Sequence, residues 1–223
     1  MKQFAIAVDG PAGSGKSTAA KLIAAKLGII YVDTGAMYRT VGLHCTRNEI
    51  ALENEVAVVA ALDTLDMKIV PEAGGQRIFL KEEDVTTAIR TAEAGKGASI
   101  VAAYPAVRER MVKLQQEMAK QNSVIMDGRD IGTVVLPDAD VKIYLDAGVE
   151  ERARRRVGEL EAQGKEADYE EIKEMIRRRD YNDMNREHSP LKKADDAIVL
   201  DSTGKSIEQV VQIILELIAE RVN

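Results

Sequence analysis

The sequence predicts an α/β protein with a three-layer, doubly wound fold around a five-stranded parallel sheet. Short apolar runs without polar alternation recur along the chain, as is typical of parallel strands covered on both faces. Segments with the apolar spacing of helices separate these runs, and such alternation favours a parallel sheet. Ligands of such sheets bind beyond the carboxyl ends of the strands.

The elements follow in a regular order, with one interruption. The predicted strands are residues 4–8, 29–32, 124–126, 141–145 and 197–200, and the predicted helices are residues 16–27, 105–121, 149–163, 168–186 and 206–221. Within residues 65–80, LDMKIV and QRIFL predict two strands joined by the turn PEAGG, and hence an inserted lobe with a small antiparallel sheet. The charged stretch 177–196 is predicted to become a mobile surface loop after its helix.

Length and composition indicate a single folded domain over residues 1–223. The 45% hydrophobic content can fill a sizeable core. A net charge of −6 and an aromatic content of 4% argue against a nucleic-acid or anionic-membrane surface. The single cysteine and two histidines exclude an intramolecular disulfide and a His-rich zinc site.

No signal segment or membrane span is apparent in the sequence. The N-terminus lacks a charged region followed by an apolar one, and no apolar stretch approaches the roughly 20 residues that cross a bilayer. We therefore expect a cytoplasmic protein without membrane or nucleic-acid partners. We also expect it to be a monomer.

A phosphate-binding motif lies near the start of the chain. GPAGSGKS matches G-x-x-x-x-G-K-[ST] after a predicted strand and at the start of a helix, the context that its mechanism requires. Backbone N–H groups and the helix N-terminus bind phosphate oxygens, and the lysine neutralises β/γ charge. We expect nucleoside triphosphate binding by Gly10, Pro11, Ala12, Gly13, Ser14, Gly15, Lys16, Ser17 and Thr18. Ser17 or Thr18 could supply the hydroxyl that holds Mg²⁺, and the motif spacing favours Ser17.

The remaining sequence narrows the class of protein that carries this loop. A guanine-nucleotide switch is disfavoured because no Asn-Lys-x-Asp motif is present, and motors and helicases need larger or repeated modules. A small-molecule kinase fits better. A non-catalytic nucleotide-binding regulator stays open as an alternative.

Two further segments follow predicted strands and should border the same crevice. DTGAMYR begins at Asp33, and the run Asp127-Gly128-Arg129-Asp130 follows the third strand. Asp127 resembles the acidic residue that supports Mg²⁺, directly or through water, in enzymes with this loop, although it could instead cap the following turn.

Arginines cluster late in the chain. They lie at Arg152, Arg154, Arg155, Arg156, Arg177, Arg178, Arg179 and Arg186. They could be solvated helix faces paired with nearby glutamates, or an active-site lid that covers phosphates. The neighbouring loop favours the lid.

Together these segments resemble bacterial cytidylate kinases, a branch of the P-loop nucleoside monophosphate kinases. DGPAGSGKST, DTGAMYR, DGRDIGTVVLPDADVKIYLDA, RRRDYNDMNREHSPL and DAIVLDSTG carry the likeness, which covers nearly the whole chain. The resemblance implies Mg²⁺-dependent transfer of the γ-phosphoryl group of ATP to CMP or dCMP. It also implies that residues 34–108 form a monophosphate-binding insertion and that residues from about 152 to 190 form a short mobile lid. Kinases for UMP, AMP or shikimate are the alternative.

The resemblance also assigns roles to individual residues. Arg39, Arg129 and Arg186 align with residues that grip the acceptor phosphate; Ser99, Arg108 and Asp130 with those that read cytosine; Arg179 and Asp183 with those that hold the sugar. It implies further CMP contacts at Thr34 and Tyr38, an ATP contact at Arg155, and catalytic roles for Lys16, Arg129, Asp183 and Arg186. Ser99 and Arg108 lie in a less distinctive segment, where ordinary helix-face roles stay open.

Overall fold

A computed structural model describes residues 3–72 and 75–222. The strands are β1 Ala5–Asp9, β2 Ile30–Asp33, β3 Met67–Glu72, β4 Gly75–Leu80, β5 Glu83–Asp84, β6 Val124–Gly128, β7 Val141–Asp146 and β8 Ile198–Asp201. The α-helices are α1 Lys16–Leu27, α2 Thr34–Arg47, α3 Glu55–Ala61, α4 Ala92–Val101, α5 Pro105–Gln121, α6 Val149–Ala162, α7 Tyr169–Asn185 and α8 Ile207–Val222. A π-helical turn covers Ile131–Val135.

The central sheet has five parallel strands in the order β2-β6-β1-β7-β8, which confirms the predicted fold class. In the strand register Asp9 lies opposite Gly128, and Asp33 lies opposite Asp127. The carboxyl ends of β1, β2 and β6 therefore meet at one edge of the sheet, where the two segments expected to border the crevice both begin.

Helices cover both faces of this sheet. Alternate β1 residues Ile6 and Val8 pack in a buried cluster with α1 and α8, whereas Ala7 packs on the other face with Val32, Met126 and α5. Strands buried on both faces carry apolar side chains at successive positions, which explains the unbroken apolar runs in the sequence.

The inserted lobe is present, with more structure than the sequence indicated. β3, β4 and β5 form a separate antiparallel sheet, as predicted for LDMKIV and QRIFL, while residues 73 and 74 of the predicted PEAGG turn lie outside the described residues. The sequence set no bounds for α2, α3, α4 or β5. α2 is rich in threonine and glycine and forms because Asp33 caps it and its apolar side chains pack against α4 and α5.

The predicted late helices are confirmed within a residue or two at each end. α6 and α7 pack through Ala153, Ile172 and Ile176, and residues 186–197 contain neither helix nor strand. The mobility expected of that loop stays a prediction. Across the described ranges, no helix combines the length and apolarity needed to cross a bilayer.

Replacement of Gly10 by alanine tests how closely β1 approaches β7. Gly10 has φ +143°, and a Cβ there would lie 2.0 Å from the carbonyl oxygen of Leu145. We expect Gly10→Ala to lower the free energy of unfolding in urea by at least about 2 kcal/mol. Gly158→Ala is the control, because Gly158 lies inside α6 with open space around it, and it should stabilise the protein by up to about 1 kcal/mol. Wild-type stability in Gly10→Ala would contradict this packing.

Candidate active site

The phosphate loop joins β1 to α1, as its motif predicted. Gly15 precedes α1 in a left-handed conformation, so the loop runs directly into the helix N-terminus. A helix N-terminus carries positive potential and free N–H donors, which suit phosphate oxygens.

Lys16 is buried within this loop. Its Nζ donates to the carbonyl oxygen of Pro11 at 2.6 Å and to Ser14 Oγ at 3.4 Å. Burial, reinforced by the nearby charge of Arg129, lowers the pKa of Lys16 to about 7. A phosphate at this place would favour the charged ammonium and reverse that shift.

Asp127 links the loop to the neighbouring strands. Its carboxylate accepts from Ser17 Oγ at 2.8 Å and from the Tyr31 hydroxyl at 2.7 Å, while its carbonyl oxygen accepts from Thr34 Oγ1 at 2.8 Å. Burial raises the pKa of Asp127, and the adjacent Asp33 raises it further. The carboxylate is therefore held by the phosphate loop and β2, and the alternative role as cap of the following turn is wrong.

The Ser17–Asp127 pair fits a hard divalent cation. A hydroxyl and a carboxylate are the oxygen ligands that Mg²⁺ takes beside substrate phosphates. In the described part of the chain, no group of three or more His, Cys, Asp or Glu side chains could hold a metal by itself. A cation here would thus depend on phosphate oxygens for further ligands.

Asp33 organises the segment after β2. Its carboxylate accepts from the Ala36 N–H at 2.9 Å, which caps α2, and from Arg39 Nη2 at 2.8 Å. The pair aims the Arg39 guanidinium along the first turns of the helix. Arg39 keeps a buried Nε without a partner.

Arg108 and Asp130 form a buried ion pair, so the two residues assigned to cytosine lie together. The guanidinium of Arg108 also lies 5.5 Å from the ring centroid of Tyr38. Arg186 Nη2 lies 3.7 Å from Asp130 Oδ1.

The two candidates for an ordinary helix-face role differ in exposure. Arg108 is buried, which rules out an exposed helix-face role for it. Ser99 is exposed on α4 and donates to the Gly95 carbonyl oxygen at 3.3 Å. The cytosine contact of Ser99 stays a prediction.

The residues after β6 meet α7. Arg129 Nε donates to Asp183 Oδ2 at 2.8 Å. Burial opposes ionisation of Asp183, but Arg129 and Arg179 more than offset it and lower its pKa. Burial and repulsion from Arg129 lower the pKa of Arg179 to about 10. Three residues expected near acceptor phosphate and sugar thus share one electrostatic neighbourhood.

The arginines of α6 divide into two groups that the sequence could not separate. Arg154 and Arg156 pair with glutamates near the surface, and so does Arg177 on α7. These three arginines therefore lie on solvated helix faces, which was the alternative to a lid. Arg155 contacts the carbonyl oxygen of Ser14 at 3.5 Å, which supports its predicted place beside the loop. Arg152 is buried and donates to the carbonyl oxygen of Ala12 at 3.1 Å and to Asp180 at 2.6 Å.

Arg152 was predicted only as one member of the late arginine cluster, and Asp9 was not predicted to have a role. Asp9 ends β1, and its carboxylate accepts from the N–H groups of Ile131 and Gly132, each at 2.7 Å. Burial raises the pKa of Asp9 to about 6. The available signal was the aspartate that follows each predicted strand run: Asp9, Asp33, Asp127, Asp146 and Asp201.

Around this edge of the sheet, arginines from distant parts of the chain have side-chain N–H donors without a hydrogen-bond partner. Buried guanidinium nitrogens without a hydrogen-bond partner occur, among the residues described, at Arg39, Arg108, Arg179 and Arg186. A buried unpaired donor is costly. Their concentration beside the phosphate loop indicates a site for a polyanion with several oxygen acceptors.

The lowered pKa of Lys16 predicts a pH-dependent affinity for ATP. Bound phosphate favours the charged lysine, so binding takes up a proton when the free lysine is neutral. ATP affinity should therefore fall as pH rises above about 7, by up to about tenfold per unit. Calorimetric titration at several pH values measures it.

Two variants control this measurement. Lys16→Met should remove the pH dependence above neutrality, and Lys26→Met, exposed on the same helix, should retain it. Equal slopes for wild type and Lys16→Met would contradict the assignment.

Comparison with known proteins agrees with this geometry. The model of the family described as cytidylate kinase matches residues 6–220. A cytidylate kinase of Caldicellulosiruptor bescii is 54% identical over 217 residues, covering 97% of this chain and 96% of that protein. One from Leuconostoc mesenteroides is 49% identical over 223 residues, covering 100% of both chains.

A solved structure shares the fold at lower identity. The crystal structure of an uncharacterized protein from Eubacterium ventriosum superposes with a TM-score of 0.56 at 15% identity, covering 99% of this chain and 100% of that one. That likeness concerns the fold alone. The family match and the relatives' identity extend over nearly the entire sequence, and the chain belongs to the cytidylate kinase family.

Proposed function

We propose that this protein transfers the γ-phosphoryl group of ATP to CMP or dCMP, giving ADP and CDP or dCDP. The observation that carries the proposal is the set of buried arginine donors without partners beside a phosphate loop. A triphosphate on the loop and a nucleoside monophosphate facing it would offer these donors acceptors from phosphate, sugar and base. The family supports CMP or dCMP as the acceptor over UMP, AMP or shikimate.

The reaction needs positioning more than proton transfer. The second pKa of a phosphate monoester is about 6, so at neutral pH the acceptor already presents an ionised oxygen. The obstacle is repulsion between two polyanions that must align. Lys16 on the donor side and Arg39, Arg129 and Arg186 on the acceptor side offset that repulsion and stabilise charge spread over the transferred group.

Mg²⁺ would be held by Ser17, with Asp127 contacting it directly or through water. When bound, it neutralises charge on the phosphate oxygens and orients them. Asp127 also has a role that does not depend on Mg²⁺, because its hydrogen bonds hold Ser17, Tyr31 and Thr34 together.

The insertion and the lid would have separate roles. Residues 34–108 would bind the monophosphate, because they hold Arg39, Tyr38, Ser99 and Arg108. Residues from about 152 to 190 would close as a lid and exclude water, which otherwise competes for the phosphoryl group. The contact of Asp183 on α7 with Arg129 and that of Arg186, directly after α7, with Asp130 support this arrangement. We propose a cytoplasmic monomer.

Cytosine selectivity would come from Asp130 and Arg108. Cytosine offers an amino donor at N4 and acceptors at N3 and O2, which match a carboxylate and a guanidinium. Uracil offers a carbonyl at position 4, so a carboxylate there would face another acceptor.

The first test is ADP release coupled to a panel of acceptors. With ATP and Mg²⁺ we expect CMP and dCMP to stimulate turnover far more than UMP, AMP or shikimate. Lys16→Ala should reduce turnover by about a thousandfold or more, since it removes charge neutralisation at the transferred group. Lys26→Ala should match wild type. ATP binding without acceptor-stimulated ADP formation would reject the enzyme in favour of a nucleotide-binding regulator.

The second test concerns Asp130→Asn. The amide can donate to the uracil carbonyl, so the ratio of kcat/KM for CMP to that for UMP should fall about tenfold or more. Loss of the pair with Arg108 should also lower both activities. Asp183→Asn is the control, because it removes a site carboxylate that contacts Arg129, and it should lower both activities without changing the ratio. An unchanged ratio in Asp130→Asn would move selectivity to Arg108 and Ser99.

A further inference from the structure

Gln76 links the inserted lobe to the edge of the central sheet. It lies on β4, and its side-chain amide makes two hydrogen bonds with the backbone of Asp33. The Asp33 N–H donates to Gln76 Oε1 at 3.0 Å, and Gln76 Nε2 donates to the Asp33 carbonyl oxygen at 3.3 Å. The side chain is buried, with 8% of the residue surface exposed.

The edge position of β2 explains why an amide is suited here. β2 is the outermost strand of the sheet, so one side of its backbone has no neighbouring strand. A glutamine side chain carries one acceptor and two donors in a plane, much like a peptide group. Gln76 therefore gives the Asp33 backbone the hydrogen bonds that a neighbouring strand would otherwise provide.

The strand pattern of β4 shows that this polar burial is specific. Gln76, Ile78 and Leu80 are the buried alternate positions, and Ile78 and Leu80 pack with Ala36 of α2. Arg77, the next residue after Gln76, is exposed and pairs within the lobe with Glu72 and Asp84. Ile78 and Leu80 provide the apolar packing at two of the three inward positions, whereas Gln76 supplies hydrogen-bond partners for the backbone of Asp33.

Asp33 is also the residue that orients the acceptor side of the site. Its carboxylate caps α2 and holds Arg39, as described above. The same residue is thus held through its backbone by the lobe while its side chain holds the phosphate-binding arginine. A shift of the Asp33 backbone would be transmitted to the Arg39 guanidinium.

We propose that Gln76 is a positioning residue for acceptor binding, which fixes Asp33 and thereby Arg39 when the lobe is docked on β2. This inference rests on the proposed function. It assigns the small antiparallel sheet a direct part in aligning the monophosphate.

The test compares three variants in the ADP-release assay. Gln76→Leu keeps the volume but removes both hydrogen bonds, and it should raise KM for CMP about fivefold or more while KM for ATP stays within about twofold. Arg77→Ala, whose contacts stay inside the lobe, should leave both KM values within about twofold of wild type.

Gln76→Glu adds a readout that loss of packing cannot give. The ionised carboxylate accepts from the Asp33 N–H but repels the Asp33 carbonyl oxygen, whereas the protonated acid restores the donor. Burial raises the glutamate pKa. The ratio of KM for CMP in Gln76→Glu to that in wild type should therefore fall as pH is lowered from about 8.5 to about 6. This variant also serves if Gln76→Leu does not fold.

The outcomes distinguish failure of the role of Gln76 from failure of the proposed function. Wild-type turnover with CMP, together with unchanged KM for CMP in Gln76→Leu, would overturn the role of Gln76 alone. A lowered melting temperature with unchanged KM, or a KM ratio in Gln76→Glu that does not vary with pH, would do the same. Absence of CMP-stimulated turnover in wild type would overturn both proposals.

Discussion

Several cations are buried close together at one edge of the sheet, and holding them there is the main physical demand on this structure. Burial and the charge of Arg129 lower the pKa values of both Lys16 and Arg179, so these groups are held together against their preference. Aspartates make the crowding tolerable, since Asp183 pairs with Arg129 and Asp127 lies near Lys16. Burial opposes ionisation of Arg129, but Asp183 more than offsets it and raises the pKa of Arg129, whereas the pKa values of Lys16 and Arg179 stay lowered. Phosphates bound nearby would favour the charged forms of Lys16 and Arg179.

The central sheet positions the segments that carry these charges. Three aspartates at the carboxyl ends of β1, β2 and β6 each hold a different segment: Asp9 the π-helical turn, Asp33 the start of α2, and Asp127 the phosphate loop. Parallel strands in register place these side chains at one edge. The sheet is thereby a common frame that holds the phosphate loop, α2 and the segment carrying Arg129 and Asp130. α7 contacts this frame through the ion pair of Asp183 with Arg129.

Local signals in the sequence were enough to predict the elements that form this frame. The start and end of α1 were predicted at Lys16 and Leu27 from the alanine content and apolar spacing of the segment, and the unbroken apolar runs identified the parallel strands. The missing parts depend on contacts between distant residues. Arg152 and Arg154 are alike in sequence, yet one is buried against the phosphate loop and the other is exposed beside Glu151. Gln76 gave no signal, because its partner is the backbone of an edge strand.

The most direct test of the central claim is the free energy of unfolding of Arg179→Met, measured in urea with and without CMP. Because burial and Arg129 disfavour the charged form of Arg179, the variant should be more stable than wild type without ligand, by about 1 kcal/mol. CMP should stabilise it much less than it stabilises wild type. Arg178→Met, exposed at the neighbouring position, should behave as wild type in both conditions. A less stable Arg179→Met protein that CMP still stabilises fully would contradict the account.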